Sequence, residues 1–175
     1  MLKLIILEEV GSTNDFAKSV LEEGQFIEDT LIIAKTQTSG RGRLNGRTWV
    51  SQSGNFHGSY VINIEKLGLS ENDVAILNSL TLLSIQDELD KFNLSKENIT
   101  IKYPNDILIN GKKIAGVLIE ILYPHAIIGI GINVCVSPIE RATDIKSEFN
   151  IHVDLMKLGE NLYKILVKRI ANAKI

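Results

Sequence analysis

The chain has 175 residues, of which 45% are hydrophobic, and a formal net charge of −2; that length and composition suit one unit with one core. The near-neutral charge argues against a basic nucleic-acid surface or a polyacidic tail, the lone Cys135 excludes an internal disulfide, and no apolar run approaches the ~20 residues of a membrane-spanning helix. The apolar start from Met1 to Val10 has no basic leader or small-residue cleavage site, so the expectation is a cytoplasmic enzyme or binding domain, with neither DNA nor a membrane as partner.

Leu2 to Glu9 reads as a first strand. A helix follows from Ser12 to Glu23, where Ser12 and Asp15 have capping-box-like spacing with Asp in place of the usual Glu, and Gly24 stops it. Thr30 to Thr36 is a buried strand, and Phe56 to Ile64 alternates as the next, so the glycine-arginine loop between them joins two strands. Ser70 to Phe92 carries Val74, Leu77, Leu80, Ile85 and Leu89 at near-helical spacing, with Ser70 and Asp73 at its start. Ile99 to Tyr103 is a short strand broken by Pro104. Ile107 to Ile109 and Lys113 to Leu122 flank Asn110-Gly111, the dipeptide that most readily supplies two positive-φ residues for a tight hairpin. His125 to Val134 adds a strand, a short helix is expected after Thr143, and Asp154 caps a last helix with the stripe Leu155, Leu158, Leu162, Leu166 and Ile170.

Strands joined mostly by hairpins, with helices covering one side, predict an α+β domain built on a mixed, largely antiparallel sheet. Residues 1–175 are expected to form one domain. A doubly wound parallel sheet is disfavoured. The glycines from Gly40 to Gly46 miss the dinucleotide fingerprint by one residue and lead into a strand, and there is no GxxxxGK[ST] phosphate loop.

Charge is distributed unevenly. From Thr30 to Ile64 there is no Asp or Glu, while Lys35, Arg41, Arg43 and Arg47 are present, and three of the chain's five arginines lie between positions 41 and 47. Glycines let the backbone approach a phosphate, and arginine forks bond it in pairs, so this loop suits an anion; the plainer reading is a solvated loop. Trp49 either stacks on a purine or anchors the loop. Lys102, Asn105 and Asp106 surround the bend at Pro104, which either gathers polar groups at a site or merely caps a strand. Ala115 and Gly116 interrupt an apolar strand and leave room for a ligand or a bulge, with Lys113 pointing toward that gap or away. His57, His125 and His152 form no triad-like or metal-ligand pattern and are read as structural or exposed.

GRGRLNGRTW, KYPNDILINGKKIAGVLIE and GIGINV, in this order and preceded by Ser12-Thr13-Asn14, resemble the hallmark blocks of the biotin protein ligase family. The blocks punctuate almost the whole chain. The resemblance implies a catalytic domain related to class II aminoacyl-tRNA synthetases. Its substrates would be biotin and ATP, with Mg²⁺, and the product of the first step biotinyl-5′-AMP. The biotinyl group would then pass to a lysine of a biotin carboxyl carrier protein of acetyl-CoA or a related carboxylase. By the same resemblance Ser12, Thr13, Asn14 and Gln37 contact the biotin rings, and Gly40, Arg41, Gly42 and Arg43 hold the carboxylate and phosphate. Lys113 reaches the reacting carboxylate, and Gly116 makes space beside it. Trp49 stacks on adenine, Asn133 contacts the nucleotide, Asn105 and Asp106 lie by the phosphates, and Asp106 is the candidate base. The metal ligands stay open, and a homodimer through an exposed strand is a partner that the resemblance admits.

The chain departs from the family pattern in three places. Asn45 looks like a one-residue insertion, which loosens the placement of Arg47 and Trp49, and Tyr103 replaces a tryptophan. The chain is also expected to lack the small β-barrel-like C-terminal domain and any N-terminal DNA-binding domain, and with the latter a repressor role. The rival readings are a lipoate or octanoyl ligase-transferase, whose transfer cysteine Cys135 does not match in context, and a biotin-binding sensor without transfer.

Overall fold

The computed structural model describes residues 2–24, 28–44, 46–92 and 98–173. Among them, the strands are β1 (Lys3–Val10), β2 (Thr30–Gln37), β3 (Phe56–Asn63), β4 (Ile99–Lys102), β5 (Asp106–Ile109), β6 (Lys112–Leu122) and β7 (His125–Ile132). They form one sheet in the order β1-β2-β3-β7-β6-β5-β4. Only β1 and β2 run parallel, because helix α1 (Thr13–Glu22) carries the chain back between them; every other pairing is antiparallel. The mixed, largely antiparallel α+β architecture is the one expected from the sequence.

The central strands bury both faces. Leu31, Ile33, Phe56, Tyr60, Ile62, Ile128, Ile130 and Ile132 join the main core with residues of α2 (Val74–Asp90) and α4 (Leu155–Asn172). Their alternates Ile32, Val61 and Ile127 form a second, smaller cluster with Ala17 of α1. The expectation that helices cover one side therefore holds for α2 and α4 and fails for α1. Nearly continuous apolar strands need cover on both faces, and α1 supplies part of it on the second.

Local signals act much as expected. Ser12 caps α1 by accepting from the Asp15 N–H, but the Asp15 carboxylate turns to Arg41 instead of closing the reciprocal half of the box. The segment from Ser70 opens as a 3₁₀ turn, Glu71–Asp73, whose Ser70–Asp73 box is made in both directions, and then continues as α2. Its expected stripe is only partly right: Leu77, Ile85 and Leu89 are buried, whereas Val74 and Leu80 are half-buried. A five-residue helix α3, Ile145–Phe149, is capped by Asp144, and Asp154 caps α4. Asn110 and Gly111 both adopt positive φ, 51° and 80°, in the tight β5–β6 turn.

One irregularity matters for the site. Opposite Ile107 and Leu108 of β5, β6 presents Ala115 and Lys113, so Ile114 is the extra residue of a bulge. Ile114 and Ala115 are both buried in the main core. Strand alternation is thereby reset, and Lys113 stands on the same face as Gly116.

Candidate active site

A cleft with about 480 Å³ of empty space, part of it open to solvent, lies on the α1 face of the sheet. Its floor consists of cross-strand rows, since residues paired in register share a face. One row runs His57, Gly131, Gly116, Asp106 across β3, β7, β6 and β5; the next runs Ser59, Gly129, Leu118. Each glycine seats a neighbour's side chain. A Cβ on Gly131 would lie 2.4 Å from the Trp49 ring, one on Gly129 2.5 Å from Asn14 Oδ1, and one on Gly116 3.0 Å from Lys113 Nζ.

The N-terminus of α1 forms one wall as a buried polar network. Gln37 Oε1 accepts from both the N–H and the hydroxyl of Thr13, at 2.8 and 3.1 Å. Ser59 Oγ lies 2.7 Å from Thr13 Oγ1 and 2.6 Å from Asn14 Oδ1. The Asn14 amide nitrogen donates to Glu120 Oε2 at 2.7 Å and to the Leu118 carbonyl at 3.3 Å. Ser12, Thr13, Asn14 and Ser59 are all buried. Groups so fully bonded keep fixed orientations, which suits them to recognising a polar ring.

The arginine loop closes on itself as a small hairpin: Arg41 bridges Thr48, the Trp49 N–H donates to the Gly40 carbonyl, and the Gly42 N–H to the Arg47 carbonyl. Arg41, Gly42 and Arg43 line the cleft. The stretch of sequence without acids is not an unopposed cation, because carboxylates arrive from elsewhere in the chain. Arg41 is 2.5 Å from Asp15 and 3.1 Å from Glu120. Burial pulls its guanidinium pKa down, but the charges of Glu120 and Asp15 outweigh that pull and hold it above the usual arginine value. Asn45 and its insertion fall outside the described residues.

Lys113 points into the gap at Gly116. Its ammonium is 2.6 Å from Asp106 Oδ1 and 5.6 Å from the Trp49 ring centroid, within reach of a cation–π contact. Trp49 and Lys113 also line a second cavity of about 380 Å³ with Val50, Ile139, Ala142 and Asn133. They form a wall common to both spaces. Asn133 donates to the Thr143 carbonyl, and its buried Oδ1 has no hydrogen-bond partner among the described residues. Asn105 lines the first cleft, with its amide nitrogen on the Val117 carbonyl.

The structure thus gathers Ser12, Thr13, Asn14, Gln37, Arg41, Gly42, Arg43, Trp49, Asn105, Lys113 and Gly116 around one cleft, with Asp106 held against Lys113. Asn133 lies on the far side of the shared wall, Gly40 packs beneath Trp49 and Gln37, and Arg47 is exposed on the loop's outer arm. Sequence reasoning gave no role to Ser59, Glu120, Gly129 and Gly131; the last three stand inside quoted blocks, but the side chains they hold or seat come from other elements. The alternating glycines of Gly129-Ile-Gly131 were the available signal. His57 is structural, as read, but its ring meets Trp49, whose Nε1–H donates to His57 Nδ1 at 3.0 Å.

A family model described as Biotin/lipoate A/B protein ligase family matches residues 7–133. A biotin--[acetyl-CoA-carboxylase] ligase of Mycobacterium tuberculosis is 28% identical over 96% of this chain and 64% of its own length. This chain spans less than two thirds of that relative and of others like it. Among solved structures, biotin protein ligase from Leishmania major in complex with biotinyl-5-AMP superposes with a TM-score of 0.82 at 28% identity, covering 97% of this chain and 75% of that one. The Aquifex aeolicus biotin protein ligase in complex with biotin and ATP gives 0.79 at 31%, covering 96% and 70%.

Proposed function

We propose, from the premise that this chain belongs to the biotin/lipoate A/B protein ligase family, that it activates biotin with ATP and passes the biotinyl group to a carrier-protein lysine. The observation that carries this reading is the convergence of Arg41, Arg43 and Lys113, from a loop and a distant hairpin, on one cleft. A carboxylate attacking the α-phosphate of ATP brings two anions together, and only charge aimed at the transition state lowers that barrier. A carboxylate oxygen bonds to the α-phosphorus as the bond to the β-phosphate's bridging oxygen breaks. Pyrophosphate leaves.

Each motif residue has a place in this reading. Biotin's ureido ring both donates and accepts hydrogen bonds, and Ser12, Thr13, Asn14 and Gln37 offer an ordered set of both kinds. Its carboxylate end extends past Gly116 toward Lys113, with Arg41, Gly42 and Arg43 above. Adenine takes the second cavity against Trp49, where the unpartnered Asn133 Oδ1 accepts from its amino group. Asn105 and Asp106 lie by the phosphates. In the second step the acceptor amine attacks the mixed anhydride, AMP leaves, and Asp106 takes the amine proton. No covalent nucleophile is required.

Mg²⁺ has no protein-built cage here: among the described residues no three His, Cys, Asp or Glu side chains cluster to hold a metal. It would enter with ATP as the counter-ion of the phosphates. The acceptor is a biotin carboxyl carrier protein, by kinship with ligases named for acetyl-CoA carboxylase. Against octanoyl transfer stands Cys135, which is exposed and lines neither cavity. The test is incubation with biotin, ATP and Mg²⁺: biotin-dependent pyrophosphate release and labelling of a carrier domain are expected. Biotin binding without pyrophosphate release would replace this reading with that of a sensor.

A further inference from the structure

We propose that neutral His57 is the positioning residue that holds Trp49 where the nucleotide docks, so that protonating His57 weakens ATP binding while leaving biotin binding in place. The proposal rests on the reading of Trp49 as the adenine platform.

Both ring nitrogens of His57 are committed. An indole N–H can only donate, so His57 Nδ1, 3.0 Å from Trp49 Nε1, carries a lone pair there. Nε2 is 3.1 Å from the Gln52 carbonyl oxygen, which can only accept, so Nε2 carries the proton. One uncharged tautomer satisfies both neighbours. A proton added at Nδ1 would set two donors face to face and leave the indole without its acceptor.

His57 also occupies the row that seats Trp49. It pairs in register with Gly131, whose missing side chain leaves the room the indole fills. The two rings meet edge to face, with centroids 6.3 Å apart and planes at 73°. Trp49 is therefore seated by a glycine and hooked by a histidine. His57 is only 1% exposed, and burial pushes its pKa below the usual value, opposed only in part by the Gln52 carbonyl. From the elements around it, β7 presents uncharged Gly131 and the Trp49 loop presents the Gln52 backbone. Among the described residues, the charges on this side are Lys113 of β6, across the indole, its counter-ion Asp106 of β5, and Arg41 and Arg43 of the loop that leads to Trp49.

Trp49 is the only tryptophan, so its emission reports on this contact directly, and protonated histidine is a strong quencher of an adjacent indole. The experiment titrates that emission from about pH 8 to about pH 5 without ligands, for the wild type and for His57→Asn, whose Oδ1 can replace Nδ1 as acceptor but cannot be protonated in this range. KM for ATP and for biotin is measured across the same range. The wild-type emission is expected to titrate below about pH 6.5 while His57→Asn stays flat. Over that step KM for ATP should rise roughly tenfold in the wild type only, with KM for biotin changing less than about twofold. Titration of ATP itself is common to both proteins and cancels in the comparison. Identical emission profiles in the two proteins would overturn the proposal without touching the ligase reading. An indole that titrates through His57 while KM for ATP stays level would overturn both the positioning role and Trp49 as nucleotide platform.

Discussion

The Trp49 indole occupies the volume that a side chain at position 131 would need: a Cβ on Gly131 would lie 2.4 Å from the ring. Gly131→Ala must therefore expel the indole or bend β7, an overpacking effect that costs about 1–3 kcal/mol. On the proposed reading of Trp49 as the nucleotide wall, KM for ATP should rise at least about tenfold while biotin affinity changes less. Isothermal titration with each substrate separates the two. Equal losses for both would show that the whole cleft had collapsed.

Lys113→Ala removes the ammonium between the two cavities. Biotin-dependent pyrophosphate release should fall by about 10²–10³, the usual loss when a group stabilising transition-state charge is removed. The side chain is a third exposed, so the thermal midpoint should stay close to that of the wild type. Unchanged turnover would remove Lys113 from the mechanism.

Glu120 holds the Asn14 amide and also faces Arg41. In Glu120→Ala the amide nitrogen loses the shorter of its two bonds, and the arginine keeps only Asp15. KM for biotin should rise roughly tenfold to a hundredfold, in line with about 1.5–3 kcal/mol for one hydrogen bond to a charged group, with KM for ATP little changed. Steady-state kinetics with each substrate varied in turn would refute this if KM for ATP moved and KM for biotin did not.

Asn55 is 1% exposed, and its Oδ1 accepts from the N–H groups of Val134, Cys135 and Val136 while its amide donates to the Val136 carbonyl. It thereby shapes the segment that follows Asn133. Asn55→Ala leaves the buried Val134 N–H and the partly buried groups after it without their partner and should destabilise the fold by about 1–3 kcal/mol. Urea unfolding measures it, and a loss below about 0.5 kcal/mol would show that water replaces the amide.

The sheet and its helices were legible because local rules dominate there. Asn110-Gly111 specified its hairpin, Ser70 and Asp73 their capping box, and Asp154 the start of α4. The second helix-bearing face was not, because a run such as Leu31-Ile32-Ile33 shows that both sides are buried but not what covers them. At the site, residues inside motifs were readable one by one. Ser59, outside the motifs, and Glu120, at the end of one, were not, since their partners Thr13 and Asn14 lie 46 and 106 positions away and pairing in space leaves no trace in local spacing. The direction of Lys113 was undecidable for a related reason: alternation predicts a side chain's face only while the register is unbroken, and Ile114 breaks it.

That extra residue makes the strand's length, and not only its composition, a determinant of chemistry. Drawing Ile114 into plain alternation at unchanged length would spare every side chain named at the site, yet it would put Lys113 on the face opposite Gly116 and turn its ammonium toward the interior packed under α2 and α4. A buried ammonium without a partner is costly enough that the hairpin would sooner slip or open than accept it. A one-residue insertion between Lys113 and Gly116, which would reverse the faces in the same way, should therefore be tolerated poorly even by a fold whose loops accept length changes freely.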